Sequence, residues 1–262
     1  DLAAPGAHPR AAGGERSSGG VNVLQLVQFV HLITGVGSRG NTAKPGTVPT
    51  ALTGQTDELQ ELVEWVLKSL TNFQTMYRWG WLIKRGTLPF VAGTATSAAR
   101  TTLTDYREWM PFVECGRRYV LRYLTADGSG SNEQRVWFMD YDQFRGYWDR
   151  NPVASGPPMF FTIRPDQLTW EVYPTPDDGY TLRLDYLCEP KVYTTSDGSV
   201  DLDDYPVANS GFPAEFHEVA AWYAIRYWAE TRNKPDMYVM ADRRFQELIR
   251  PLKSRYLPSA RI

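Results

Sequence analysis

The residues whose types could do chemistry are few and scattered. His8, His31 and His217 are the only histidines. His217 and Glu218 begin an HE pair, but the residue four after His217 is Ala221, so the HExxH zinc arrangement is not completed. His31 and His217 sit inside amphipathic segments and His8 in a terminal stretch, so all three read as structural rather than as metal ligands. Asp197, Asp201, Asp203 and Asp204 cluster, but without the DxDxDG spacing of a calcium loop, and read as a solvated acidic loop. Asp140 and Asp142 lie near aromatic residues, as the carboxylates of a glycoside hydrolase would. Carboxylates at the start of a short helix oppose the positive end of its dipole, which explains the same pair without catalysis. There is no GxSxG elbow and no GxxxxGK[ST] or GxGxxG phosphate loop. Cys115 and Cys188 have no local active-site signature and make no disulfide framework; both are expected to be reduced and buried. The pattern implies no catalytic residues, no metal site and no cofactor.

Composition narrows the class further. The chain has 262 residues, enough for one large domain or two small ones. Its formal net charge is −2, whereas a protein gripping DNA over a broad surface is expected to be basic. No apolar run reaches the roughly 18 residues of a membrane span, and the N-terminal residues lack the layout of a signal peptide, so no membrane partner is expected. Nine Trp and fifteen Tyr suit sheets and protein interfaces.

The elements that would position these residues follow from periodicity. Residues 1–20 are mostly Gly, Ala, Ser and Pro and read as a flexible arm. Asn22 caps a helix with Val23, Leu26, Val27, Val30 and Ile33 on one face, stopped by Gly35. Residues 36–55 read as a long loop, mobile in the free subunit like the arm and ordered by a partner. A long helix over 56–78 is the element around which the chain is organised. Its stripe, Leu59, Leu62, Val63, Val66, Leu70 and Phe73, is the expected core of a helical bundle. Thr56 can cap it, and Glu64 and Lys68 are spaced as an i,i+4 pair.

The period then changes. Short strands are expected at 87–93, 117–124 and 134–139, with a loop at 95–104 and a short helix at 140–150. Met159–Ile163 alternates, and 168–173 and 180–188 are expected to pair as an antiparallel hairpin around the loop 174–179. Pro213 opens a helix to about Arg232, and a last helix runs over 236–250, where Pro251 ends or kinks it.

The expected fold is therefore α+β. A helical bundle from 21–80 and 212–250 carries an inserted antiparallel β-rich domain at 81–211, leaving 251–262 as a tail. From Arg243 onward the chain carries Arg243, Arg244, Arg250, Lys253, Arg255 and Arg261 against the single acidic Glu247. Leu252, Tyr256, Leu257 and Ile262 stand between these charges as apolar anchors.

Five stretches resemble one family. They are NVLQLVQ and ITG within 22–35, TGQTDELQELVEWV (53–66), DYDQFR (140–145), PTPDDGYTLRLDYLCEP (174–190) and FPAEFHEVAAWYAIRYWAE (212–230). Their order and spacing are similar to those of head-to-tail adaptors of tailed bacteriophages, especially short-tailed ones. The resemblance implies a helical bundle with a β-rich insertion and a twelvefold ring beneath the portal protein. It implies a tail nozzle or tail tube protein below and double-stranded DNA passing through without specific binding. It places the protein in the virion, assembled in the host cytoplasm, with no enzymatic activity. By the same resemblance, Arg250, Lys253, Arg255, Tyr256, Leu257, Arg261 and Ile262 are the expected portal-docking residues. The competing readings are a carbohydrate-binding β module, with strand aromatics as its platform, and a hydrolase using the acidic clusters.

Overall fold

The computed structural model describes residues 21–36, 48–128, 132–148, 154–199 and 215–257. The expected arm at 1–20 and the helix-opening Pro213 lie outside them. Among the described residues, six helices and one large mixed sheet of nine strands make an α+β architecture.

Helix α1 (Val23–Thr34) has the boundaries its sequence implies. Asn22 and Gln25 form a reciprocal capping box, and Gly35 closes the helix in the left-handed region at φ 64°. Helix α2 (Asp57–Thr75) is shorter than expected, and the Thr56 side chain makes no capping bond. Helix α5 (Glu215–Thr231) is the true centre of the helical part. Val219, Ala220, Ala221, Ala224, Ile225 and Ala229 are each at most 1% exposed, although they point in all directions around its axis. That follows from its surroundings, because α1, α2 and α6 (Pro235–Tyr256) all pack on it. The four buried alanines let those neighbours come close. Only α5 is enclosed in this way, so the organising role assigned to α2 from sequence belongs to α5.

The last helix also departs from expectation. α6 runs on through Pro251 to Tyr256. Proline removes one backbone donor and crowds the carbonyl four residues back, a cost of about 3 kcal/mol. Burial of Leu252 and packing of Tyr256 beyond it offset that cost.

The strands are β1 (Ile83–Phe90), β2 (Thr96–Ala98), β3 (Tyr106–Met110), β4 (Phe112–Glu114), β5 (Arg117–Leu124), β6 (Gln134–Phe138), β7 (Phe160–Ile163), β8 (Thr169–Tyr173) and β9 (Tyr180–Cys188). The path through the sheet is β1-β9-β5-β6-β7-β8-β2, with β3 also on β9 and β4 also on β5. The expected loop at 95–104 holds β2 and the short helix α3 (Ala99–Thr102).

Three expectations are corrected here. β8 and β9 are not a hairpin: β8 pairs with β7 and β2, while β9 lies between β1 on one edge and β5 and β3 on the other. The sheet is not purely antiparallel, because β6 and β7 run parallel. Helix α4 (Tyr141–Trp148) joins them as the crossover that a parallel pair requires, with Phe144 buried beneath it. Cys188 is buried as expected, but Cys115 is exposed. It sits with Gly116 in the two-residue turn between β4 and β5, both at positive φ, which places its side chain at a hairpin tip.

Buried residues from the helices and from the sheet form one continuous cluster. Part of the expected mobile loop belongs to it. Leu52 is buried, and Gln28 of α1 donates to the Pro49 carbonyl at 2.8 Å.

Candidate docking surface

The α2 stripe is placed first. Leu62, Val66, Leu70 and Phe73 are fully buried, Val63 is 1% exposed, and Leu59 is half-buried at the edge of the cluster. Phe73 packs against Phe216 and Tyr223 of α5 at 5.6 and 6.3 Å between ring centroids. Below it Trp79 stacks on Trp81 at 4.6 Å, and the Trp79 indole N–H donates to the Phe73 carbonyl at 3.0 Å. This aromatic group joins the end of α2 to the start of α5 and to β1.

The end of α6 closes over the same group. Tyr256 meets Phe216 at 5.0 Å and Trp81 at 5.8 Å, and Leu257 packs half-buried against the core. Lys253 holds its ammonium 4.3 Å from the centre of the Tyr77 ring. Arg255 is exposed, with its guanidinium 5.2 Å over the neighbouring Tyr256 ring. Arg250 is exposed on the outer face of the helix. Arg261 and Ile262 lie outside the described residues. Three of the apolar anchors read from sequence, Leu252, Tyr256 and Leu257, therefore serve the protein's own core. The cations around them form the outward surface of this end.

Upstream on α6, Arg243 and Arg244 both bond Glu247, at 3.0 and 3.1 Å. The Arg243 hydrogen bond, with that of Arg244, holds the Glu247 carboxyl below the usual carboxylate range. Leu252 and Ile249, on the opposite side of the helix, are buried.

The residues with chemical potential are not brought together. His31 and His217 are buried in separate helices. Asp140 pairs with Arg118 at 3.2 Å, at the start of α4. Among the described residues no group of three or more His, Cys, Asp or Glu is placed to hold a metal ion. Asp201, Asp203 and Asp204 lie outside them. The strand aromatics divide into half-buried rings such as Tyr119, Trp137 and Tyr173 and an interior group, in which Phe161 stacks on Trp170 at 5.0 Å and Trp109 meets both rings edge-on. An interior stack offers no platform to a sugar.

One polar group was not foreseen. Asp105 accepts hydrogen bonds from Lys84 of β1 and from the Tyr186 hydroxyl of β9, the latter at 2.8 Å. Partial burial alone would raise the carboxyl, but the two donors outweigh it and hold Asp105 below the usual range. Burial, with the Asp105 bond, pushes the Tyr186 hydroxyl well above its ordinary value. The sequence signal was slight, since Lys84 and Asp105 stand in stretches with no motif.

A surface of this kind, charged outside and aromatic beneath, with no assembled catalytic group, suits a protein that docks. The family model for the SU10 adaptor protein matches residues 32–261. The chain belongs to the SU10 adaptor family. That makes it a phage adaptor of the head-to-tail type, a structural class rather than an enzyme class. The matched range takes in α2, the whole sheet and both C-terminal helices, and begins inside α1. No curated protein matches the adaptor sequence. No described helix of the adaptor is long and apolar enough to cross a membrane.

Proposed function

We propose that the chain is the subunit of a ring, twelvefold by resemblance, that sits beneath the phage portal and links it to a tail nozzle or tail tube protein. Double-stranded DNA passes through the ring without specific binding. The subunit is assembled in the host cytoplasm and ends in the virion. The observation that carries this reading is the family match over residues 32–261. The net charge of −2 fits a channel that must not hold its DNA.

In this reading the helices of 21–80 and 212–250 form one bundle and the strands of 81–211 are a unit inserted into it. Residues 1–20 are an arm. Arg250 and residues 251–262 dock on the portal, through Arg250, Lys253, Arg255, Arg261 and Ile262, with Tyr256 and Leu257 fixing the helix end that presents them. Arg250 and Arg255 are exposed, so their substitution tests docking without disturbing the core.

The experiment is electron microscopy of the purified protein alone and mixed with a cognate portal ring. Closed rings seated on the portal are the expected result, and Arg250→Ala with Arg255→Ala is expected to weaken that seating about tenfold. Absence of any ring, alone or on the portal, overturns the reading.

A further inference from the structure

β6 and β7 run parallel, and α4 crosses between them. The carboxyl ends of both strands, Phe138 and Ile163, open onto one cavity of about 460 Å³. Asp140 and Tyr141, at the start of α4, stand in its wall. In sheets built from such units, ligands bind outside the carboxyl ends of the strands and beside the helix N-terminus. The volume is that of a small-ligand site.

The wall is rich in donors. Trp109 of β3 lines it and is 7% exposed, and among the described residues its indole N–H has no acceptor. A buried N–H left without a partner is costly. Arg118 of β5 holds its guanidinium 4.1 Å from the centre of the Phe138 ring and donates to Asp140 at 3.2 Å. Arg78, just past α2, donates to Glu108. A guanidinium has more N–H groups than one such bond uses, so both arginines keep donors for a further acceptor. The first N–H groups of α4 have no partner inside the helix. The carboxylates in the wall, Glu108 and Asp140, are already held by these arginines.

The aromatic rings of the wall are occupied. Arg118 covers Phe138, Arg145 stands 5.9 Å over Tyr141, and Trp109 is buried, so none of the three offers a sugar an open face. The formal charges of Arg78, Arg118, Glu108 and Asp140 cancel. A dianion is repelled by the two carboxylates, whereas a single planar charge matches the fork of a guanidinium fixed on an aromatic ring. We propose that this cavity binds a carboxylate, with Arg118 as its principal donor and Arg78 and the Trp109 N–H beside it. Asp140 is the group that gives way. Its side chain is 66% exposed, so it turns into water at little cost when the ligand takes its place on Arg118. The carboxylate comes from an acidic side chain of a partner polypeptide or from a free organic acid, which present the same group. The site lies within one subunit and does not depend on ring formation.

Isothermal titration calorimetry of the whole chain at low salt tests it, with three probes. They are the capped tripeptide acetyl-Gly-Asp-Gly-amide, propionate and inorganic phosphate. Both carboxylates are expected to bind more tightly than phosphate. Tighter binding of the tripeptide assigns the site to a polypeptide partner, and tighter binding of propionate assigns it to a free acid. Arg118→Gln is expected to weaken the carboxylates about tenfold, and Arg118→Lys less. Asp140→Asn is expected to strengthen them about threefold, because it removes the competitor for Arg118. Both positions are exposed, and thermal melts confirm that each variant folds. If Arg118→Gln melts early, Asp140→Asn decides alone. Absence of carboxylate binding, phosphate bound more tightly than either carboxylate, or an Asp140→Asn chain that binds no more tightly than wild type overturns the site. None of these results touches the ring, which microscopy decides.

Discussion

Tyr256 meets Trp81 at a ring-centroid distance of 5.8 Å and an interplanar angle of 81°, edge against face. The contact ties the final turn of the last helix to the residues that lead into β1. It also brings backbone against backbone: a Cβ built on Gly80 would lie 2.9 Å from the Tyr256 carbonyl oxygen. The end of α6 is thus seated on its own chain.

Tyr256→Ala is expected to destabilise the fold by about 2 kcal/mol, through lost aromatic packing on Trp81 and Phe216. Gly80→Ala is expected to cost about 1–3 kcal/mol, because the atom it meets is backbone and cannot swing away. Urea titration measures both. A midpoint unchanged by either substitution would remove the seat from the account. For the same reason, deletion of 251–262 is a poor docking assay, since it takes Leu252 and Tyr256 out of the core.

Leu62 and Val66 face α5 with no exposed surface. Leu62→Asp or Val66→Asp buries a charge with no partner, and a loss of about 4 kcal/mol is expected. Circular dichroism should show a chain largely unfolded at 37 °C. A native melting curve would contradict the burial.

Ala224 of α5 is 1% exposed among its neighbouring helices. Ala224→Leu adds volume where there is none and is expected to cost about 1–3 kcal/mol. The same change at an exposed position such as Thr75 is expected to leave the melt within about 0.5 kcal/mol. Equal effects at the two sites would argue against close approach around α5.

Asp105 is held below its ordinary value, so its folded-state pKa is lower than that of the unfolded chain. Its contribution is fully present above the unfolded value, about 3.9, and is lost as pH falls through the folded value. The stability gap between wild type and Asp105→Asn should accordingly be constant from pH 5 to 7 and close on acidification below about pH 4. A gap that persists in acid would assign the role of Asp105 to packing.

Local chemistry was legible where it decides structure alone. Asn22 and Gly35 bound α1 in sequence as they do in space. The breadth of the α5 interior was also written in its residues, but only the burial of both α2-facing and α1-facing positions reveals that it is central. β3 and β4 were not readable. A bulge between Tyr106 and Glu108 breaks the alternation of β3, and Pro111 separates it from a β4 of only three residues. The hairpin assigned to β8 and β9 followed from adjacency in the chain, whereas the pairing is set by distant strands. Pro251 reads as a stop because the packing of Tyr256, which offsets it, lies with Trp81 and Phe216. The acidic and basic stretches were visible in sequence.

The central place of α5 has a consequence for how the subunit is made. A ribosome delivers α1 and α2 long before residue 215, where the helix both must pack on begins. The sheet waits in the same way, since Ile83 finds its partner only when Leu187 has been added. Long-range pairing of this kind delays folding until the distant partners have been made. A nascent chain cut short before α5 then leaves the buried faces of α1 and α2 without the helix they pack on, so prematurely terminated copies fail to fold rather than persist as partial native molecules.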